Sequence, residues 1–173
     1  WDTDCNQYSS ETMAFSDLLP YPVITVATIS ELSAAGKNSN PDFIVIDTAP
    51  HAHDSELFVH ILNKADAIIG ITRPLPNDVL AFEKIMLPLL GKVNKPKALL
   101  INQRAHIQSA IQSAAEELIH DRMSGDIPVL NTKLHSRASY AAIGYFETDD
   151  KADKKRLEET QGLGKELKER GIL

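Results

Sequence analysis

A run of β-branched and aromatic residues, 43–46, ends abruptly in the carboxylate of Asp47 and the small turn 48–50. Because the run is apolar at consecutive positions, it predicts a strand that is buried on both faces, between helix layers, in a parallel sheet. Such sheets place their chemistry just beyond the carboxyl ends of their strands. We therefore expect Asp47 at that edge, where a carboxylate can hold a water of a magnesium shell beside a nucleotide phosphate.

Strand patterns alternate with helix patterns along the rest of the chain. We predict strands at 21–28, 66–72, 97–103 and 127–130, helices at 30–36, 53–65, 79–91, 107–123 and 136–144, and an exposed, charged C-terminal helix within 149–173. This alternation predicts βαβ units with right-handed crossovers, which place helices on both faces of a mostly parallel sheet. The fold class is therefore α/β, as a three-layer single domain over 1–173.

The sequence also predicts the cap and bend of one helix and the buried face of another. Asn77 or Asp78 is suited to cap the helix that starts at about Val79, and Pro88 predicts a bend within it. The helix over 107–123 carries one apolar face, which we expect to be buried. The residues of that face are Ile107, Ile111, Ala114, Ala115, Leu118 and Ile119.

Composition limits the classes of function. Eighteen basic and 24 acidic residues give a formal net charge of −6, which argues against a surface that binds nucleic acid everywhere. A local basic patch stays open, with Lys92, Lys95, Lys97, Arg104, Lys133 and Arg137 as candidates. No apolar run approaches the roughly 18 residues of a membrane span, and the single cysteine, Cys5, fits a reducing cytoplasm.

Two further motifs end in polar side chains. Asp2-Thr3-Asp4 is followed by the amides Asn6 and Gln7, and carboxylates at alternating positions suit a loop that handles magnesium and water, although an Asx-rich turn has the same composition. The strand over 97–103 ends in Asn102, whose amide offers a donor and an acceptor to a nucleobase edge or to its own loop. Two acidic loops at adjacent strand ends would converge on one magnesium ion.

The order of these motifs resembles the ParA/MinD group of deviant Walker-A ATPases, and most closely the short ParA proteins of plasmid partition. The resemblance rests on the Asp-x-Asp loop, on Asp-Thr-x-Pro at 47–50, on Pro-x-Pro-x-Asp at 74–78, and on 134–144, which is similar to an Arg-x-x-x-x-Glu-Ala-x-x-x-Gly segment. It covers the chain up to about Glu147 and implies a P-loop NTPase-like fold that is truncated at the N-terminus.

The resemblance also implies a function and its partners. The parent protein would be an ATPase that uses Mg²⁺ and ATP or ADP to segregate or position plasmid or chromosomal DNA in the cytoplasm. Its partners would be an identical subunit in a homodimer, non-specific DNA and an activating, ParB-like centromere-binding protein, with no membrane attachment. A ParA-like ATPase that assists conjugative DNA transfer, and a non-catalytic dimerisation module, are the alternatives closest to this interpretation.

Residue roles follow from the resemblance position by position. Asp2 would lie near the magnesium shell, Asp4 would belong to switch I and position the hydrolytic water as the catalytic residue, and Asp47 would hold magnesium through water. Asn102 would lie near the adenine. Pro74, Pro76 and Asp78 would shape the loop near the dimer face.

The chain also departs from the family pattern. It contains no Gly-rich phosphate loop with two lysines, so we expect that this chain by itself neither binds ATP tightly nor hydrolyses it. We also expect that residues upstream of Trp1 are missing; a phosphate loop among them would favour the ATPase, and its absence the dimerisation module. Cys5-Asn6 replaces Pro-Gln, His51 follows Pro50 where glycine is frequent, and Ala142 stands where the family often has Glu. His51-x-His53 leaves a metal-dependent hydrolase with zinc as a further alternative.

Overall fold

The structure, a computed structural model, describes residues 1–3, 22–38, 41–48, 55–104, 109–136 and 151–173. The described residues group into two compact units, one before residue 65 and one from residue 65 onward. The second unit contains a parallel sheet with flanking helices, as expected for an α/β fold. Among the described residues, no helix combines the length and the apolar character that crossing a bilayer requires.

Three short extended segments lie side by side and parallel in the first unit. Asp2 pairs with Thr25 on one side and with Asp47 on the other. On the Thr25 side, the Asp2 N–H donates to the Ile24 carbonyl at 2.9 Å and the Val26 N–H donates to the Asp2 carbonyl at 2.9 Å. Segment 1–3 is therefore the middle one of the three.

Two helices cover one face of these segments. The helices are α1, Ile29–Asn38, and α2, Glu56–Lys64. Because successive side chains of an extended segment point to opposite faces, one face carries Trp1, Val26 and Ile46 and the other carries Thr25, Asp2 and Asp47. The first set packs against Leu32 of α1 and Leu57 and Ile61 of α2.

The opposite face corrects one expectation from the sequence. The run 43–46 was expected to be buried on both faces, yet Phe43 is 68% exposed and Val45 is 79% exposed. Both side chains lie on the Asp47 face of the segment, away from Leu32 and Ile61. The apolar run therefore specifies an extended segment here, and only one of its faces is covered.

Local capping explains where both helices of this unit begin. Thr28 and Glu31 form a reciprocal capping box: the Glu31 N–H donates to Thr28 Oγ1 at 3.2 Å, and the Thr28 N–H donates to Glu31 Oε2 at 3.1 Å. Ser55 Oγ accepts the Phe58 N–H at 3.1 Å at the start of α2.

The second unit is built on a three-stranded parallel sheet in the order β1-β2-β3. Its strands are β1, Ile68–Thr72, β2, Lys97–Arg104, and β3, Val129–His135. In the central strand, consecutive residues from Ala98 to Ile101 are buried, which confirms the prediction of a buried strand here. Ala98 and Leu100 pack against Leu130 and Leu167, and Leu99 lies on the other face, which Phe82 covers.

The helix between β1 and β2 is interrupted before a proline. It consists of α3, Pro76–Ala81, a π-helical stretch, Phe82–Met86, and α4, Leu87–Gly91. Pro88 has no N–H and its ring crowds the preceding turn, and the widened stretch, in which the Leu87 N–H donates to the Phe82 carbonyl, lies directly before it. The irregularity predicted from Pro88 is a π-helical stretch.

The start of α3 differs from the prediction. The helix begins at Pro76, whose fixed φ suits the first turn, and its N-cap is Leu75, which makes no side-chain capping bond. Asp78 does not cap the helix. Its carboxylate instead accepts hydrogen bonds from Arg73 Nε at 2.6 Å and Nη2 at 3.3 Å.

Helix α5, Ala110–Met123, buries a face that overlaps only in part with the one the apolar pattern indicates. Ser109 caps it by accepting the Gln112 N–H at 3.2 Å. Gln112 and Glu116 are buried, whereas Ile111 is 61% exposed. Ala115 and Ile119 are buried as predicted.

Helix α6, Lys151–Glu169, packs on β3, although the charged C-terminal helix was expected to be exposed. The backbone N–H of Asn131 donates to Glu166 Oε1 and that of Thr132 donates to Glu166 Oε2, both at 2.8 Å. Between positions 99 and 101 of β2, β3 advances from 129 to 133, so these N–H groups belong to an irregular stretch of the ladder. Glu166 therefore satisfies strand donors at an irregular point of the sheet.

Several influences set the pKa of Glu166. Burial is the largest and raises it, but the hydrogen bonds from Asn131, Thr132 and Arg170 together outweigh burial and lower the pKa from 4.5 to about 2. This difference corresponds to a stabilisation on the order of 3 kcal/mol. Since the pKa is lower in the folded state, the stabilisation is complete above pH 4.5 and is lost as the pH falls towards 2.

We expect Glu166→Gln to lower the free energy of unfolding at pH 7 by on the order of 3 kcal/mol, measured by urea denaturation. The difference in free energy of unfolding between Glu166→Gln and the unmodified chain should disappear as the pH falls from 4.5 towards 2. Glu169→Gln is the control, because the Glu169 side chain is 64% exposed and lies 3.8 Å from Lys165. Equal stability of Glu166→Gln and the unmodified chain at pH 7 would refute the stabilising role of the Glu166 carboxylate.

We expect Gly70→Ala to destabilise the second unit by about 1–3 kcal/mol, since overpacking a core costs this much. A Cβ at Gly70 would lie 2.7 Å from Cζ of Phe82, which is 5% exposed. Gly164→Ala is the control, because a Cβ there meets nothing within 4 Å and alanine favours the helix. In thermal unfolding followed by circular dichroism, the Tm should fall for Gly70→Ala and rise for Gly164→Ala.

Candidate functional site

The two acidic motifs meet at adjacent segments of the first unit. The Asp47 N–H donates to the Trp1 carbonyl at 2.8 Å, and the Thr3 N–H donates to the Asp47 carbonyl at 3.0 Å. This parallel pairing sets Asp2 directly beside Asp47, with both side chains on the same face and Thr25 next in the row. Asp2 is 4% exposed, whereas Asp47 is exposed. A cation that reaches this pair from solvent therefore meets Asp47 first.

Thr3 strengthens the connection between the two motifs. Its Oγ1 donates to the Asp47 carbonyl at 3.0 Å, so this single oxygen accepts both the backbone and the side-chain donor of Thr3. Thr3 is 8% exposed. The middle residue of Asp-x-Asp, which the sequence did not single out, therefore holds the backbone of the second motif.

A cavity of about 200 Å³ opens beyond this edge. It is lined by Thr3, Ala27, Thr48, Ser55, Leu57, Phe58 and Ile61. Its hydroxyl groups come from two of the segment ends and from the residue that caps α2. The volume is below the range of about 300–1,000 Å³ that small-molecule pockets occupy, so the cavity is small for a whole nucleotide.

Several predicted residues lie outside the described residues. Asp4, the predicted catalytic residue, is one of them, as are Asn6, Gln7 and the pair His51 and His53. Within the described ranges, no group of three or more His, Cys, Asp or Glu side chains is arranged to hold a metal ion. The carboxylates that the structure does bring together are the pair Asp2 and Asp47.

Asn102, the predicted adenine neighbour, lies near the end of β2 in the second unit. Its Oδ1 accepts the Gln103 N–H at 2.8 Å, and Gln103 has a φ of +55°, in the left-handed region. The side-chain oxygen therefore takes part in a local turn, and the side chain itself is half-buried. Its role towards a base stays a prediction.

A buried ion network at the same end of the second unit was missed by the sequence analysis. Glu116 of α5 accepts Arg104 Nε at 2.6 Å and Lys133 Nζ at 2.5 Å. Burial is the largest influence on the pKa of Glu116 and raises it, but the hydrogen bonds and charges of Lys133 and Arg104 lower it overall. The available signal was the position of Glu116, four residues from Gln112 and three from Ile119, on one helix face.

The ion network extends to α6 through a histidine. His135 Nδ1 lies 2.8 Å from Glu159 Oε1, and His135 Nε2 lies 3.3 Å from Arg104 Nη1. These contacts join the ends of β2 and β3 to α6. The network satisfies its own charges, as expected of a structural element more than of an open binding site.

These contacts also bear on the candidate basic patch. Lys97 Nζ donates to the carbonyls of Leu90 at 2.7 Å and Val93 at 3.2 Å, while Arg104 and Lys133 bind Glu116. Lys92 is exposed, and Arg137 lies outside the described residues. Half of the six candidate cations thus hold the second unit together.

Comparisons of the chain with models of protein families, with curated proteins and with solved structures found no match. The geometry of the site and the order of the sequence motifs are therefore the two observations that bear on function.

Proposed function

We propose that this chain is part of a ParA-type partition ATPase with a P-loop NTPase-like, three-layer fold, which segregates or positions plasmid or chromosomal DNA in the cytoplasm. The observation that carries the proposal is the parallel pairing of Asp2 with Asp47. Two acidic motifs separated by more than 40 residues of chain lie on adjacent segments, at the edge where parallel α/β sheets bind their ligands.

The donor set of this pair fits magnesium. Mg²⁺ prefers oxygen ligands, keeps several of its waters and is usually bound through one or two carboxylates together with substrate phosphates. Asp47, which is exposed, would bind a water of the ion, and Asp2, which is buried beside it, would add negative charge from within the sheet. When bound, the ion would neutralise charge on the phosphates.

The parallel pairing of Asp2 with Asp47 would offer a divalent ion two carboxylates on one face of the first unit. We propose ATP or ADP, a second copy of the chain, non-specific DNA and a ParB-like protein as the remaining partners.

The proposal predicts that Asp47→Asn weakens Mn²⁺ binding by more than about tenfold. Loss of a group that only hydrogen-bonds to a metal ligand already weakens metal binding about tenfold, and Asp47 is proposed to hold the ion more directly. Mn²⁺, a spectroscopic substitute for Mg²⁺, is titrated into the full chain, and the free ion is measured by electron paramagnetic resonance. Broadening of the Thr48 amide signal in nuclear magnetic resonance spectra locates the bound ion.

Asp42→Asn is the matched control, because Asp42 is an exposed carboxylate in the same extended region and lies five positions before Asp47. It should bind Mn²⁺ like the unmodified chain. If Asp47→Asn and Asp42→Asn bind Mn²⁺ equally well, the proposed magnesium site is wrong, and the ATPase proposal loses the observation that carries it.

DNA binding gives a separate test. If about three phosphate contacts form, affinity for duplex DNA should fall roughly 40-fold between 50 and 200 mM salt, measured by fluorescence anisotropy. Changing both Lys92 and Lys95 to Gln should reduce the slope of log affinity against log salt concentration by the contribution of about two phosphate contacts. Lys84→Gln, at an exposed lysine outside the candidate set, should leave this slope unchanged. An affinity that does not depend on salt would exclude the DNA-binding part of the proposal.

A further inference from the structure

The Asp47 carbonyl is held more tightly than the carbonyl of an ordinary strand residue. A parallel ladder supplies one N–H to each paired carbonyl, and here the Thr3 N–H fills that role at 3.0 Å. Thr3 Oγ1 adds a second hydrogen bond at 3.0 Å to the same oxygen. The hydroxyl comes from the residue that follows Asp2, so one side chain joins the backbones of both acidic motifs.

The environment of Thr3 makes this bond effective. Thr3 is 8% exposed, and a hydrogen bond shielded from water keeps more of its strength than one at the surface. Thr3 also lines the cavity of about 200 Å³ at the carboxyl edge, together with Thr48, the residue after Asp47. A shift of the Asp47 backbone would therefore alter both the carboxylate and the cavity wall.

We propose that Thr3 is a positioning residue for the divalent cation: its hydroxyl fixes the Asp47 backbone at the distance from Asp2 that cation binding needs. The inference rests on the proposed function, since it assumes a cation at the Asp2–Asp47 pair. Thr3 acts through Asp47 and does not bind the ion itself. Partners one shell away from a metal orient the groups that hold it, and their loss typically costs tenfold or more in affinity.

The test compares two substitutions of nearly equal size. Thr3→Val removes the hydroxyl and keeps the branched shape, and we expect it to weaken Mn²⁺ binding to the full chain about tenfold. Thr3→Ser keeps the hydroxyl and should bind Mn²⁺ like the unmodified chain. Circular dichroism selects a temperature at which every variant is folded, so a general loss of stability does not change the measured affinity.

A second measurement covers the case in which Thr3→Val fails to fold. In the unmodified chain, Mg²⁺ should slow hydrogen exchange of the Thr3 amide, because that N–H donates to the Asp47 carbonyl. It should leave exchange of the Phe58 amide, which donates to Ser55 Oγ in the same unit, unchanged.

The outcomes separate the two proposals. If Asp47→Asn abolishes Mn²⁺ binding and Thr3→Val does not weaken it, Thr3 is not a positioning residue, and the proposed function stands. If Thr3→Val folds poorly and the Thr3 amide exchanges at the same rate with and without Mg²⁺, the inference is likewise overturned. If Asp47→Asn leaves Mn²⁺ binding unchanged, both proposals fail together.

Discussion

The first unit depends on the backbone hydrogen bonds of segment 1–3. The N–H groups of Asp2 and Thr3 donate to Ile24 and Asp47, the N-terminal ammonium of Trp1 donates to Val45, and the carbonyls of Trp1 and Asp2 accept from Asp47 and Val26. Because these bonds run to both sides, they fix the register of three segments at once, and a slip of one residue would move every side chain to the other face. The apolar set under α1 and α2 and the pairing of Asp2 with Asp47 are two consequences of one register.

The second unit depends on carboxylates in a different way. Glu166 holds two strand N–H groups and Arg170, and Glu116 holds Arg104 and Lys133. Each is a buried acid whose desolvation is offset by several donors, so removal of one partner leaves a buried charge poorly compensated and is costly. Glu116 and Glu166 are therefore neutralised by cations and N–H groups of the protein itself, and Asp47 of the first unit is exposed to solvent.

Much of the sheet could be predicted from the sequence, because consecutive apolar residues such as those at 98–101 favour a strand that is buried on both faces. The helix faces were harder. The pattern of α5 favoured Ile111, whereas the structure buries Gln112 and Glu116. The partners of Glu116 come from β2 and β3, which a one-dimensional pattern along α5 does not contain. The start of α3 at Pro76 was missed because an acidic residue two positions later is equally suited to a cap and to a salt bridge with Arg73. Two strand ends predicted that the acidic motifs converge, but not that Asp2 itself pairs with Asp47, and the hydroxyl of Thr3 carried no signal of its own.

The most direct measurement of this account is the scalar coupling across hydrogen bonds in a nuclear magnetic resonance experiment on the isotope-labelled chain. The account predicts couplings from the Thr3 nitrogen to the Asp47 carbonyl carbon and from the Val26 nitrogen to the Asp2 carbonyl carbon. Both bonds are short, at 3.0 and 2.9 Å, and both belong to the same register. Absence of both couplings, with the Thr3 and Val26 amides exchanging as fast as in an unfolded chain, would contradict the pairing on which the candidate site is built.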